Sequence, residues 1–281
     1  MRAKRLLTPF VALFAVFILT LSFAIGQVAG QEPGPGAPED DIIVYLPLSV
    51  KAPGTILGHV RDGGVVASNV ILELRRLNLD TYADSLVDTK TTDPSGYFAF
   101  TNQPSLVAQE VYYVKYSNPG NPARLWRWYT RALSTYTFGS IVNIGDFDIA
   151  DVQLDQPMSG ASVTLPRTFY WIVRPATPWD NYEFDLYEGC DNCALFYTDP
   201  PLGYVGSYSL TALPPGFHNG TQYWWEIWVY NPDGSYGISF NTNAVTFTHS
   251  GIRAAPVKDL PEAEREHLMN ERLLRSVQAR P

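Results

Sequence analysis

The apolar residues of this chain fall in short alternating runs. The strongest is GTQYWWEIWVYNPDGSYGISFNTNAVTFT at residues 220–248. Successive side chains of a strand point to opposite faces. Tyr223, Trp225, Ile227 and Val229 therefore share one face, which reads as the buried side of a sandwich strand. Trp224, Glu226, Trp228 and Tyr230 share the other, which gathers three large aromatics and a carboxylate. Asn231-Pro232-Asp233-Gly234 then turns the chain. Weaker runs of the same kind precede it. Ile56, Gly58 and Val60 line one strand face before a turn at Asp62-Gly63-Gly64, and Val70, Leu72 and Leu74 line a second. A third strand is predicted over 86–92. Asp93-Pro94-Ser95-Gly96 is a tight turn, after which Phe98 and Phe100 point inward. Tyr112, Val114 and Tyr116 mark a further strand, and residues 144–154 close that unit. A second unit follows, with Phe169, Trp171 and Val173, then Tyr182, Phe184 and Leu186, then Tyr208 and Leu210, then the strand at 223–229. Short strands at turn-punctuated intervals predict an all-β fold of two tandem β-sandwiches, over 53–154 and 155–250.

The ends have another character. Arg2, Lys4 and Arg5 precede an apolar run from Leu6 to about Gly26, followed by small residues at Ala24, Gly26, Ala29 and Gly30. This is the layout of a secretory signal over residues 1–30. The run is also long enough for a retained anchor helix, so the chain touches a membrane only if that helix is kept. Either outcome puts the rest of the chain outside the cytoplasm. Residues 31–41, QEPGPGAPEDD, are a linker, and the apolar run at 42–50 reads as a lead-in strand, so that 31–52 connects signal to sandwich. Residues 251–281 form a charged tail. Asp259 and Glu262 have capping-box spacing, and Leu260, Leu268, Leu274 and Val277 give a weak stripe. A short C-terminal helix is expected there.

Two stretches carry family resemblances. GHVRDGGVVASNVILELRR followed by TTDPSGYFAF resembles the carboxypeptidase regulatory-like domain, one of the transthyretin-like and starch-binding-like sandwiches. The likeness covers about 53–154 and is most specific from Thr92 to Phe98. The second unit resembles a fibronectin type III sandwich, with Trp171, Leu213 and Tyr223 in the places of that family's strand tryptophan, turn leucine and corner tyrosine. Together the resemblances imply a bacterial extracellular protein built of spacer or protein-binding modules, and no catalysis.

Charge and candidate chemistry narrow this picture. The formal charge is −8, and a cleaved signal would take Arg2, Lys4 and Arg5 with it. A chain so acidic has no electrostatic footprint for nucleic acid. Cys190 and Cys193, spaced as CDNC, suit a small disulfide at a hairpin tip in an oxidising compartment. Metal binding would need further ligands, a redox role would want a helix after a strand, and free thiols remain open. The four histidines, His59, His218, His249 and His267, neighbour no nucleophile signature and form no HExxH pair. Asp146, Asp148 and Asp151 have carboxylate spacing that calcium favours, but no EF-hand glycine or glutamate follows, and the stretch reads equally as a strand. LWRWYTR at 125–131 interleaves arginine with tryptophan, which suits anions or, equally, aromatics buried between the two units. No cofactor is expected.

The aromatic-acidic face remains the sharpest lead. If the 182–187 and 223–230 strands are neighbours, Glu183, Asp185 and Tyr187 join Trp224, Glu226, Trp228 and Tyr230 on one surface. Indoles stack on the C–H faces of sugars, and carboxylates accept from hydroxyls. An exposed face of that kind marks an interaction site, whereas cover by the first unit or the tail would make it packing. The sequence thus reads as a secreted or cell-surface, non-catalytic protein for adhesion, scaffolding or protein binding. Carbohydrate binding through this face is the alternative, and a secreted hydrolase a remote one. The implied partner is an extracellular protein or a polysaccharide.

Overall fold

In the computed structural model, which describes residues 54–188, 195–198, 201–213 and 217–248, every regular element of the described residues is a strand. The first half contains β1 (Thr55–Asp62), β2 (Val65–Val66), β3 (Ile71–Asn78), β4 (Asp84–Thr91), β5 (Tyr97–Thr101), β6 (Glu110–Ser117), β7 (Arg127–Tyr129) and β8 (Ile141–Asp148). The second contains β9 (Gln153–Gln156), β10 (Ala161–Val163), β11 (Arg167–Ile172), β12 (Asn181–Glu188), β13 (Leu195–Tyr197), β14 (Ser207–Leu210), β15 (Gln222–Tyr230), β16 (Tyr236–Ile238) and β17 (Asn243–Phe247). The expected signal helix, lead-in strand and C-terminal helix lie outside the described residues.

The turn chemistry sets the first half. Asp93 Oδ1 accepts from Ser95 N at 2.8 Å, Ser95 Oγ at 2.6 Å and Tyr97 N at 3.0 Å, which closes the turn that carries the chain from β4 in one sheet to β5 in the other. The buried Thr92 hydroxyl accepts from Val70 N at 2.9 Å and donates to Ala67 O at 2.8 Å, tying that turn to the start of β3. In one sheet β1 pairs antiparallel with β5 and parallel with β8, and β2 extends its far end. Its inward Ile56, Val60, Phe98 and Phe100 pack on Leu72, Leu74, Tyr112, Val114 and Tyr116 of β3 and β6. In the second half the sheet β14-β11-β9 faces β12 and β15. Phe169 lies 4.7 Å from Phe184 and 5.3 Å from Trp225, ring centre to ring centre. Burying each such side chain stabilises by roughly 1.5–3 kcal/mol. The stretch 144–154 divides between the halves: Ile144 lies in β8 on the first sheet, and Leu154 in β9 beside Trp171.

The other layer belongs to both halves at once. β7 pairs with β6 on one edge and with β16 on the other, through Tyr129↔Tyr236, Trp128↔Gly237 and Arg127↔Ile238. One ten-stranded sheet therefore runs from β4 to β12 and β13 without a break. Gly237 permits the seam. A Cβ there would stand 2.5 Å from the Trp128 ring and 2.9 Å from Arg127 O, closer than real contacts allow.

Beneath the seam, Arg174 leaves the end of β11 and is 2% exposed. Its Nε donates to Asp180 Oδ2 at 2.8 Å, and its Nη1 donates to Asp148 O at 2.7 Å and Ala150 O at 3.2 Å, at the end of β8. The guanidinium carbon sits 5.3 Å from the centre of the Trp128 ring. A side chain of the second half thus ties down backbone of the first.

Two expectations follow. Calorimetry on the full chain should give one cooperative unfolding transition for the two halves, and Gly237→Val should lower the melting temperature and split it; an unshifted single transition in the variant would contradict the seam. Arg174→Met or Asp180→Leu alone should cost about 3–5 kcal/mol in urea unfolding, because each strands a buried charge, while the double variant should cost less than their sum.

Candidate functional site

The aromatic-acidic face assembles in the register its alternation implies. β12 and β15 pair antiparallel, with Glu183↔Trp228, Asp185↔Glu226 and Tyr187↔Trp224 as direct neighbours. Within it Tyr187 Oη donates to Glu226 Oε2 at 3.0 Å and Trp228 Nε1 donates to Glu226 Oε1 at 2.9 Å. A ladder of rings continues across the seam. Tyr113 and Tyr129 lie 5.8 Å apart, Tyr129 and Tyr236 5.1 Å, Tyr236 and Trp228 6.0 Å, and Trp228 and Tyr230 6.5 Å. The sequence left this face open between an exposed site and covered packing, and its side chains are buried. Trp224 is 4% exposed and Trp228 1%, Glu183, Asp185, Tyr187 and Glu226 are buried, and Tyr230 is half-buried. The parity holds, since Tyr223, Trp225, Ile227 and Val229 are fully buried on the opposite side. The physical reason is that β7, β12, β15 and β16 are buried on both faces, and the outer face carries apolar clusters of its own. Burial of that degree supports the packing reading of this face rather than the open one.

Open chemistry lies elsewhere, where the halves meet. A cleft of about 390 Å³ is bounded by the β1–β2 turn at Arg61 and Gly64, the end of β8 at Asp146–Asp148, the β11–β12 loop at Ala176, Thr177 and Trp179, and Asn231 after β15. Its wall is built by Asp148, whose carboxylate accepts from Gly63 N at 3.0 Å, Gly64 N at 2.6 Å and Ala150 N at 2.8 Å. That fixes the turn against β8. On the rim Arg61 donates through Nε and Nη2 to Asp146 Oδ2 at 3.2 and 3.0 Å, and His59 Nδ1 stands 3.4 Å from Asp146 Oδ1. These three side chains are about equally exposed, so their pairing adds little to stability. Trp179 completes the opposite rim at 53% exposure.

The loop that presents Trp179 is pinned from below. Thr177 N donates to Arg174 O at 3.3 Å and Asp180 N to Thr177 O at 3.0 Å. Thr177 Oγ1 donates to Asp180 Oδ2, the oxygen that also receives Arg174. Tyr204 Oη donates to Arg174 O at 2.9 Å, and Tyr182 Oη accepts from Arg174 N at 2.9 Å. Burial pushes the Asp180 carboxyl above the ordinary carboxylate range, against the pull of Arg174 and Thr177. A raised folded-state value favours the fold below the ordinary carboxylate range and loses that contribution as pH rises through it.

The remaining candidates resolve into structural roles. Asp151 Oδ1 accepts from Phe240 N at 2.9 Å, so Asp146, Asp148 and Asp151 serve three separate sets of partners. Among the described residues no group of three or more His, Cys, Asp or Glu side chains could hold a metal ion. In LWRWYTR, Trp126 and Trp128 are buried, the latter stacked on Phe147 at 6.1 Å, as the packing account expects. His59 and His218 face solvent. His249, His267, Cys190 and Cys193 lie outside the described residues. Trp179 escaped the sequence reading, and Asn231 entered it only as a turn residue. The signal for Trp179 was available: it stands in Thr-Pro-Trp-Asp, between turn-forming residues and outside any alternating run.

Comparison with known proteins adds no family. No protein-family model matches the sequence, and no curated protein matches it. Among solved structures, a DUF3823 family protein from Bacteroides uniformis is 10% identical, over 69% of this chain and 97% of its own, with a TM-score of 0.23. A variant of the shaft pilin SpaA from Lactobacillus rhamnosus GG is 12% identical, over 75% and 99%, at 0.25. The major pilin subunit BcpA of Bacillus cereus is 10% identical, over 70% and 69%, at 0.24. At these TM-scores the likenesses assign neither family nor function.

The two sets of tryptophans should separate cleanly in denaturation experiments. Trp228→Ala should cost about 3–5 kcal/mol, as removal of a core indole does, whereas Trp179→Ala should change stability by no more than about 0.5 kcal/mol. Equal costs for the two would refute the assignment of packing to one and presentation to the other.

Proposed function

We propose that this protein is a secreted or cell-surface, non-catalytic module that carries a binding cleft on a stiff two-sandwich platform, for adhesion or scaffolding. The observation that carries the reading is the unbroken sheet through β7 and β16 with Arg174 locked beneath it. Independent spacer domains hang on linkers; here the two halves share a layer, so a load or ligand on one is felt by the other. The N-terminal signal pattern supports export. The division into a carboxypeptidase regulatory-like unit over 53–154 and a fibronectin-like unit over 155–250 belongs to the same proposal. It is supported by the Thr92–Asp93 turn lock and by Tyr223, whose hydroxyl donates to His218 O at 2.7 Å in the manner of a tyrosine corner. The side chains of the cleft suit binding better than turnover. Asp148 is held by three backbone donors, and Asp146 is held by Arg61 rather than set beside a nucleophile.

The test uses the full chain expressed in an exporting bacterial host. The protein should partition to the envelope or the medium, and the purified chain should turn over no ester, glycoside or peptide reporter substrate. Retention in the cytoplasm would overturn the localisation. Turnover that disappears with Asp146→Asn or His59→Gln would overturn the non-catalytic reading.

A further inference from the structure

The chain has seven tryptophans. Six of them are at most 7% exposed, while Trp179 stands at 53%. Leaving one indole in water is unfavourable by the usual accounting of apolar surface, and the loop around it is not loose. Its neighbours Arg174, Thr177 and Asp180 are buried and hydrogen-bonded to one another. The fold therefore holds a flat apolar plate at a fixed place on the rim of a cleft. The same cleft is lined by a guanidinium, a carboxylate and an amide residue, in Arg61, Asp146 and Asn231.

We propose that this junction cleft is a binding subsite for a neutral glycan, with Trp179 as the platform for one pyranose ring and Arg61, Asp146 and Asn231 as the partners of its hydroxyls. The proposal rests on the binding-module reading above and names its ligand class. A pyranose presents one face of C–H groups, which packs on an indole, and an equator of hydroxyls that both donate and accept. The Arg61–Asp146 pair matches the equator. The guanidinium donates, the carboxylate accepts, and their half-exposed geometry lets vicinal hydroxyls replace water. Because the loop is already fixed, little ordering cost is left to meet on binding. Charge argues against a polyanion: Asp146 and Asp148 outnumber Arg61 in the cleft, and the chain as a whole is −8. A proline-rich peptide would also stack on an indole, but it wants an apolar groove, and this wall is made of Asp148, Thr177 and Gly64 around Phe147.

The burial of the other six indoles makes Trp179 its own reporter. Acrylamide quenching of the full chain's fluorescence should come mainly from this residue. Hexasaccharides of glucose, xylose, mannose and N-acetylglucosamine are the probes, with polygalacturonate and a proline-rich peptide as contrasting arms. At least one neutral hexasaccharide, titrated to about 10 mM, should give saturable protection from quenching. Calorimetric titration of the same sugar should weaken by about tenfold or more in Trp179→Ala and in Asp146→Ala, and by less in Trp179→Phe, with melting temperatures held. No protection by any neutral sugar overturns the proposal, as does binding that survives Trp179→Ala undiminished. Binding confined to polygalacturonate or to the peptide overturns the ligand class. Each of these failures would leave export, the single unfolding transition and the absence of turnover untouched, so the broader reading is judged separately.

Discussion

Trp128 sits where everything in this molecule converges. One side of its ring meets the bare backbone of Gly237, another stacks on Phe147, and a third meets the guanidinium of Arg174. The two halves are fused by this contact as much as by the short β7–β16 ladder. Three residues of strand pairing would hold little alone, because edge pairing in water replaces solvent hydrogen bonds at small net gain. An indole that fills the space under the ladder removes water from it and makes the same bonds costly to break. The cleft depends on this too, since its walls come from both halves and a slip at the seam would part Asn231 and Trp179 from Arg61 and Asp146.

The sequence carried the parity of the long aromatic strand but not its environment. Alternation tells which residues share a face; it does not tell whether that face meets water. One signal pointed to burial on both sides. QYWWEIWVY is almost continuously apolar, broken inside only by Glu226, and strands buried on both faces read that way. The partner strand NYEFDLYE, by contrast, carries Glu183 and Asp185, which pull the eye toward solvent. Glu226 shows how a carboxylate is tolerated there. It receives a hydrogen bond from the strand beside it and another from the indole two residues on, donors that the alternation itself supplies. The tight turns and the inward phenylalanines of the first half were legible because Asp-Pro-Ser-Gly and Asp-Gly-Gly act locally. The seam was not, because nothing local in RWY or YGI says that they pair across more than a hundred residues.

Asp146, Asp148 and Asp151 illustrate the same limit at the scale of side chains. Spaced along one stretch they suggest a common ligand. On the end of β8 the two share a strand parity, but the β1–β2 turn covers Asp148 and gives it its amide donors, while Asp146 stays exposed with Arg61. Asp151, beyond the strand, receives Phe240 N from the second half. Carboxylates that already serve separate partners cannot converge on one ion. What the stretch does instead is shape the cleft: one aspartate sets its wall, one its rim, and one fastens the two halves behind it.

The buried pair beneath Trp179 is best understood through what it costs. Taking Arg174 and Asp180 out of water is expensive, and the upward displacement of the Asp180 carboxyl says that Arg174 and Thr177 do not fully offset that cost. A pair of apolar side chains in the same volume would hold the core at least as well. It would not bond Asp148 O and Ala150 O, and it would not turn Thr177 and Asp180 so that the residue between Pro178 and Asp180 projects outward. The pair trades stability for geometry, and geometry is what a rim-mounted indole needs. A loop free to collapse would lay Trp179 onto the nearest apolar surface; a loop nailed down on both sides of it cannot. The exposure of that one ring is therefore a consequence of the burial of its neighbours.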